Sequence, residues 1–187
     1  MLIFTNEGKT YIFIHIPKNS GKYIRDKIKN DKNNEIITSY WDIEFNLDLA
    51  HIPYMKKDKF INHIEYNYFT YTRCPYHRMI SAFFYLNPDK TIPDFKHFVK
   101  NTLPTYTFDM DFNYQIIHYY PQYLFVCDES LHIPTHIKID KIEDVETPKK
   151  YNLSTYYCDE CISMINHVYH KDFICFDYPI TESLNRI

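Results

Sequence analysis

Glycine is so scarce in this chain that its two positions constrain the fold more than any other feature. Only Gly8 and Gly21 occur among 187 residues. Gly8 stands in "NEGK", between apolar, β-prone stretches at 2–4 and 10–16, which is the pattern of a β-hairpin. Gly21 stands in "PKNSGK", after the second stretch and before apolar residues at helical spacing. The start of the chain is therefore predicted as a hairpin, a polar loop and a helix.

The rest of the chain predicts strands that alternate with helices. The aromatic stretch 66–73 has the composition of a strand, and Pro75 opens an apolar helical run, because proline suits the first turn of a helix. Further elements are predicted as helices at 92–101, 111–120 and 159–170 and as short strands near 122–127 and 136–140. This alternation indicates one α/β domain over residues 1–187, a sandwich with a mainly parallel sheet.

Charge and composition exclude several classes of protein. The formal net charge is −3, whereas a nonspecific nucleic-acid binder needs a basic surface to neutralise phosphates. No stretch reaches the roughly 18 apolar residues of a membrane span, and "MLIFTNEGK" lacks the basic start and apolar middle of a signal peptide. We therefore expect a soluble, cytoplasmic protein. Its 19 tyrosines and 14 phenylalanines predict a core filled largely by ring packing.

The five cysteines are scattered and odd in number, which does not indicate a disulfide framework. Cys158 and Cys161 form a C-x-x-C pair, but no second cysteine pair and no well-spaced histidine pair completes a zinc site. Ordinary buried or surface thiols are the favoured interpretation, and a metal or redox role is the minor alternative. No metal site is predicted.

The loop "PKNSGK" lies at the carboxyl end of a predicted strand, where open α/β sheets bind ligands. It is not a Walker A loop, because Ile16 replaces the first glycine and Tyr23 follows Lys22, so a nucleoside triphosphatase is disfavoured. An anion cradle remains a physical possibility, with Gly21 allowing the backbone turn, Lys18 and Lys22 supplying charge, and the helix N-terminus adding about half a positive charge. A plain connection with a solvated lysine fits the loop equally well.

The stretch "TRCPYHRMISAFFY" carries a second set of polar residues after a strand. Arg73 ends the predicted strand, and Ser81 lies inside the following helix, where a hydroxyl has no capping role. The planar fork of arginine suits bidentate contact with phosphate, and a serine hydroxyl can donate beside it. Arg78 is predicted to support the connection from helix to loop. Two anion sites at neighbouring strand ends would suit a ligand with phosphates at two places.

These motifs resemble those of the carbohydrate-type sulfotransferases, the sulfotransferase family 2-like enzymes. "HIPKNSG" resembles the H-I-P-K-T-G-G-T-S loop that binds the 5′-phosphosulfate, and "RCPYHRMISAFF" resembles the R-N-P-Y-x-R-x-x-S-A-Y element for the 3′-phosphate. Weaker similarities follow in the family's order, in "HYYPQYLFVCD", "KIEDVE" and "VYHKDFICFDYP". The resemblance therefore covers nearly the whole chain.

The resemblance implies an enzyme that moves a sulfuryl group from 3′-phosphoadenosine 5′-phosphosulfate (PAPS) to an acceptor hydroxyl of a carbohydrate or other small molecule. It also implies a three-layer, P-loop NTPase-like fold, 3′-phosphoadenosine 5′-phosphate (PAP) as product and no metal. Arg73 and Ser81 would bind the 3′-phosphate. The implied contacts to the 5′-phosphosulfate are Lys18, Asn19, Ser20, Gly21, Lys22 and Tyr23. Lys18 would also be catalytic, because it would stabilise the charge that develops on the departing phosphate.

A general base must take the proton of the acceptor hydroxyl, and histidine is suited to this near neutral pH. His51 stands between the two phosphate elements, where relatives of this type often carry a histidine, and is the predicted base. His15 and His63 are weaker alternatives. His118 and Gln122 are predicted to line the acceptor side, and a surface helix with a satisfied histidine is an equal alternative. Glu143 is predicted to be a structural hydrogen-bond acceptor.

The loop also departs from the family's pattern. Asn19 and Ser20 replace threonine and glycine, and Lys22 and Tyr23 replace small hydroxyl residues that donate to the phosphate. These departures motivate a second hypothesis, a noncatalytic nucleotide- or glycan-binding module on the same fold. A nucleotide kinase is a third hypothesis, disfavoured by the missing Walker A loop. The identity of the acceptor is not encoded in these motifs, since fold-level similarity does not carry specificity.

Overall fold

The computed structural model describes residues 1–38, 41–42, 47–48, 51–59, 66–145 and 149–184. Its strands, in chain order, are β1 (Leu2–Asn6), β2 (Lys9–Phe13), β3 (Asn34–Ile36), β4 (Trp41–Asp42), β5 (Leu47–Asp48), β6 (Asn67–Thr72) and β7 (Lys138–Lys141). Its α-helices are α1 (Gly21–Asn30), α2 (Pro75–Leu86), α3 (Ile92–His97), α4 (Tyr123–Val126), α5 (Leu153–Tyr156), α6 (Asp159–Val168) and α7 (His170–Cys175). The chain divides into two compact units, unit 1 at 1–72 and 122–144 and unit 2 at 73–121 and 145–187.

The predicted N-terminal hairpin is confirmed. β1 pairs antiparallel with β2, and Asn6 lies opposite Lys9, so the connecting turn has two residues. These residues, Glu7 and Gly8, have φ values of 48° and 74°. Two positive φ values define the turn type whose twist matches that of a hairpin, and glycine adopts such values without steric cost.

Unit 1 contains a five-stranded sheet in the order β3-β1-β2-β6-β7. β2 runs parallel to β6 and β6 parallel to β7, whereas β1 is antiparallel to both β2 and β3. The α/β class is therefore confirmed, but the sheet is mixed rather than mainly parallel. The hairpin is the physical reason, because a two-residue turn can join only antiparallel strands.

Helix α1 packs against one face of this sheet. Ile24 and Ile28 of α1 are buried in a cluster with Leu2, Phe4, Phe13 and Ile142. Their spacing of four residues places both side chains on one side of the helix. Burying an isoleucine side chain contributes about 1.5–3 kcal/mol, so these contacts fix α1, and the loop before it, on the sheet.

The prediction of a strand near 122–127 is wrong. Residues Tyr123–Val126 form the short helix α4, and Leu124, Phe125 and Val126 are all buried. A short, continuous apolar run does not distinguish a buried strand from a buried helical turn, because neither shows a polar face. The strand predicted near 136–140 is confirmed as β7.

Unit 2 is helical, and its core consists largely of aromatic rings, as the composition predicts. Phe83 and Phe98 lie 5.1 Å apart between ring centroids, and Phe98 and Tyr119 lie 4.8 Å apart. Helix α3 continues into a π-helical turn at Phe98–Thr102, so the helix predicted at 92–101 is confirmed. The other two predicted helices correspond to a 3₁₀ helix at Tyr114–Tyr119 and to α6 followed by α7. None of the helices in the described ranges is long and apolar enough to cross a membrane.

Candidate anion-binding loop

The loop between β2 and α1 has an alternating backbone. Lys18 has a φ of 69° and Ser20 a φ of 55°, whereas Asn19 and Gly21 do not have positive φ values. A backbone that alternates between the left-handed and right-handed regions turns successive N–H groups toward one side of the chain and forms a concavity that binds anions, as in P-loops. The positive φ values on either side of Asn19 agree with the anion-cradle hypothesis.

The N-terminus of α1 adds to this concavity. Ser20 precedes the helix, its side chain does not cap a helical N–H, and the first turn contains no acidic residue. The first N–H groups of a helix lack partners within the helix, and the helix dipole gives this end about half a positive charge. The position therefore favours a negatively charged group.

Gly21 has a different role from the one predicted. The positive φ values belong to Lys18 and Ser20, so Gly21 is not the residue that turns the backbone. A Cβ atom at residue 21 would lie only 1.6 Å from Nε2 of His15 and 2.0 Å from its Cδ2. Glycine is required here because the buried His15 ring occupies the space of a side chain.

Two histidines stand behind the loop in unit 1. His15 and His51 are both buried, with ring centroids 4.4 Å apart. Arg25 Nη1 lies 2.8 Å from His15 Nδ1. Because a guanidinium can only donate, His15 Nδ1 accepts and the proton of the neutral ring is on Nε2. Arg25 was not singled out in the sequence, and only its position one helical turn after Gly21 could have indicated this contact.

His51 has the opposite tautomer. Its Nδ1 lies 3.0 Å from the backbone carbonyl oxygen of His15. A carbonyl can only accept, so Nδ1 donates and the lone pair of the neutral ring is on Nε2. A hydrogen bond of this kind orients an imidazole and selects the nitrogen that can take a proton. His51 therefore has the tautomer that a general base needs.

Asn19 anchors the loop through its side chain. Its Nδ2 donates to the Tyr71 carbonyl at 2.8 Å and to Gln122 Oε1 at 2.7 Å. Both Asn19 and Gln122 are fully buried. Gln122 thus accepts a hydrogen bond that helps to hold the loop in place.

The remaining loop residues differ in exposure. Lys18 and Ser20 are half-buried, whereas Lys22 and Tyr23 are exposed on the first turn of α1. Tyr23 has 42% of its surface accessible. Of the two lysines predicted to supply charge to the site, Lys18 lies in the loop between the strand and the helix, and Lys22 lies on the helix.

Unit 2 contains the other predicted phosphate residues. Arg73 is buried, and its Nη2 donates to the Lys149 carbonyl at 2.6 Å. Ser81 is half-buried in the interior of α2. The buried guanidinium of Arg78 donates to the carbonyls of Tyr120 at 2.8 Å and His118 at 3.3 Å, so its predicted role in supporting a loop is confirmed.

Three further predicted residues have other surroundings. The His118 ring stacks on Tyr85 with centroids 4.9 Å apart. Glu143 is half-buried in a 3₁₀ turn at Ile142–Asp144. His63 lies outside the described residues. Across the described part of the chain, no group of three or more histidine, cysteine or acidic residues is arranged to hold a metal ion.

Comparison with known proteins returns no relative. The chain matches no family model, no curated protein and no solved structure. The resemblance to sulfotransferases therefore depends on the two short motifs and on the weaker sequence similarities that follow them.

Proposed function

We propose that this chain is a PAPS-dependent sulfotransferase that sulfates a hydroxyl group, with a carbohydrate as the preferred class of acceptor. The observation that supports the proposal is the pair of positive φ values at Lys18 and Ser20, directly before the N-terminus of α1, where backbone N–H groups would form an anion cradle. This cradle lies within the segment that resembles the phosphosulfate loop. The proposal includes a three-layer, P-loop NTPase-like arrangement of the chain.

The loop would bind the 5′-phosphosulfate and stabilise the leaving group. Backbone N–H groups at Ser20 and Gly21, together with the Lys18 ammonium, would face the negative charge that grows on the 5′-phosphate oxygens as the sulfur–oxygen bond breaks. Because phosphate is already a good leaving group, positioned donors and charge would suffice, and the chemistry requires no metal ion.

His51 would take the proton of the acceptor hydroxyl. Its Nδ1–H is engaged by the His15 carbonyl, so Nε2 is the basic nitrogen of the neutral ring. His15 in turn packs against Gly21 of the loop, so the His15 ring lies between His51 and this glycine. These contacts support the proposal, because transfer to a hydroxyl needs a base held close to the anion-binding loop.

Arg73 and Ser81 would bind the 3′-phosphate, the group that distinguishes PAPS from ordinary adenine nucleotides. Arg73 follows β6 directly in the chain, and β6 is the parallel neighbour of β2. The support for this step is the resemblance of the motif together with the charge and planar shape of the arginine side chain.

A noncatalytic nucleotide-binding module is the second candidate. The observation that favours it is that Lys22 and Tyr23 are exposed and that the Asn19 side chain is bound to protein groups. At these three of the six predicted loop positions, the side chains therefore differ from the phosphate-binding donors that the family's motif has there. Such a module would bind PAP and sulfate no acceptor.

Thermal unfolding with PAP, AMP or ATP tests the proposal, because a ligand that binds only the folded state raises the melting temperature. We expect PAP to give the largest shift, Lys18→Met to remove it, and Lys27→Met, the matched control at an exposed lysine further along α1, to retain most of it. Incubation with PAPS and a panel of glycans and phenols should then give a sulfated product. A shift without product would favour the noncatalytic module, and no PAP-specific shift would contradict both candidates.

A further inference from the structure

The C-x-x-C pair in unit 2 has a specific geometry. Cys158 is the residue immediately before α6, and Cys161 lies in the first turn of that helix. Their Sγ atoms are 3.3 Å apart, and both thiols are reduced. Cys158 is half-buried, whereas Cys161 is fully buried and its Sγ–H lies 3.7 Å from the Lys96 carbonyl. One thiol is therefore accessible and its partner is not.

The surroundings make the two thiols chemically different. Burial opposes ionisation of Cys158, but hydrogen bonding with the backbone and side chain of Cys161 and the charge of Lys100 outweigh it, so the pKa of Cys158 is lowered. Glu160 acts in the other direction, and Lys100 Nζ is bound to its carboxylate at 3.1 Å. Burial raises the pKa of Cys161. Cys158 is thus the better nucleophile, since the thiolate is the reactive form.

The distance between the sulfur atoms is short enough for a disulfide to form with little movement. A disulfide has an S–S length of about 2.05 Å, so the two sulfur atoms separated by 3.3 Å need to approach by about 1.3 Å. A change in the side-chain rotamers of these two residues, one at the N-cap and one in the first turn of α6, can supply this movement. The weak contact from Cys161 to the Lys96 carbonyl is the hydrogen bond that would be given up.

We infer that Cys158 and Cys161 form a redox-active dithiol that exchanges with small-molecule disulfides. The Cys158 thiolate attacks one sulfur of the small disulfide, whose S–S bond breaks and releases one thiolate. The Cys161 thiol then loses its proton and attacks Sγ of Cys158, and the second small thiolate leaves. The two cysteines lose two electrons and two protons in total, and the small disulfide becomes two thiols.

Two other features support this assignment over inert thiols. The attacking thiol is at the N-terminus of a ten-residue helix, where the dipole favours a thiolate. Cys175 provides an internal comparison. The residue as a whole is exposed, but partial burial of its thiol and the negative charge of Asp172 raise the pKa of that thiol. Exposure alone would make Cys175 the most reactive cysteine, whereas the proposal makes Cys158 more reactive.

The first test uses the full, unmodified chain and oxidised glutathione. After timed incubation, remaining thiols are alkylated, and peptide mass mapping locates each modification. We expect a 158–161 disulfide, with Cys158 consumed on the order of tenfold faster than Cys175. Modification of Cys175 at an equal or higher rate, or no 158–161 disulfide at equilibrium with excess oxidised glutathione, would overturn the proposal.

Two variants separate the roles of the thiols. Cys161→Ser should trap a mixed disulfide with glutathione on Cys158, while Cys158→Ser should leave Cys161 unmodified because it is buried. Cys175→Ser is the matched control and should form the 158–161 disulfide at the unmodified rate. If Cys161 is instead glutathionylated in the Cys158→Ser variant, Cys161 can act as the attacking thiol and the assignment of roles is overturned. These readouts do not depend on PAPS binding or transfer.

Discussion

The imidazole ring of His15 occupies the position that a side chain at Gly21 would need. An ideal Cβ at residue 21 would be 1.6 Å from His15 Nε2, less than half of a normal contact between carbon and nitrogen. The ring cannot move aside easily, because it is buried, bonded to Arg25 and in contact with the ring of His51. The glycine therefore couples the conformation of the loop to the histidine pair.

We expect Gly21→Ala to destabilise the protein by about 1–3 kcal/mol, the usual cost of forcing extra atoms into a packed site. Chemical denaturation measures this change. Removing the ring in His15→Ala should relieve the clash, so the double variant should lose less stability than the sum of the two single variants. Additive losses would show that the His15 ring is not what excludes a side chain at residue 21.

Asn19 should contribute to stability through its buried side chain. Asn19→Ala leaves the Tyr71 carbonyl and Gln122 Oε1 without this donor, at a cost of about 1–3 kcal/mol. Asn19→Asp should cost more, because a carboxylate would face two acceptor oxygens. Asn33→Ala, at an exposed asparagine, is the control and should change stability by less than about 0.5 kcal/mol. Equal effects at both positions would contradict the anchoring role.

The local elements of this fold could be predicted because each has its own sequence signal. The turn at Gly8, the proline that opens α2 and the apolar spacing of α1 depend on residues close together in the chain. The antiparallel pairing of β3 with β1 depends instead on contacts between distant segments. The helix at Tyr123–Val126 was missed because its residues are buried on every side, which removes the periodic pattern.

The candidate site was predictable in its residues but not in their roles. The motif identified Lys18, Gly21 and His51, yet the sequence could not show that the left-handed positions are Lys18 and Ser20. The tautomer of His51 depends on a carbonyl 36 residues away in the chain. Likewise, "CDEC" reveals a thiol pair, but the difference in burial between Cys158 and Cys161 arises only from packing.

Arg78 should be among the most important residues for the stability of unit 2. Its buried guanidinium bonds two carbonyls, and the fully buried carboxylate of Asp172 favours its charged form. Arg78→Met should therefore cost about 3–5 kcal/mol, because it leaves buried charge and carbonyl oxygens uncompensated. Adding Asp172→Asn should recover part of this loss. If the double variant is as unstable as the sum of the single variants, Asp172 does not act on Arg78.

Alkaline pH should destabilise the protein through its buried tyrosines. Burial raises the pKa of Tyr119 to about 12 from an ordinary value of 10.0. Between these two values the folded state holds a proton that the unfolded state releases, so stability is present below pH 10 and falls as the pH rises toward 12. Tyr119→Phe should make this fall less steep in denaturation measured across the range. Equal slopes in the unmodified protein and in Tyr119→Phe would contradict this assignment.

The proposed role of His51 as a base can be separated from its structural role by one substitution. His51→Asn can keep an N–H donor for the His15 carbonyl, because the asparagine amide can replace Nδ1, but it removes the basic Nε2. If His51 is the base, sulfation by this variant should fall by about 10²–10⁴-fold while the thermal shift with PAP is retained. His51→Leu, which removes the donor as well, should also lower the stability of the loop. Sulfation by His51→Asn within a few-fold of the unmodified rate would place the base elsewhere, whereas loss of the PAP shift would show that the histidine pair shapes the anion cradle itself.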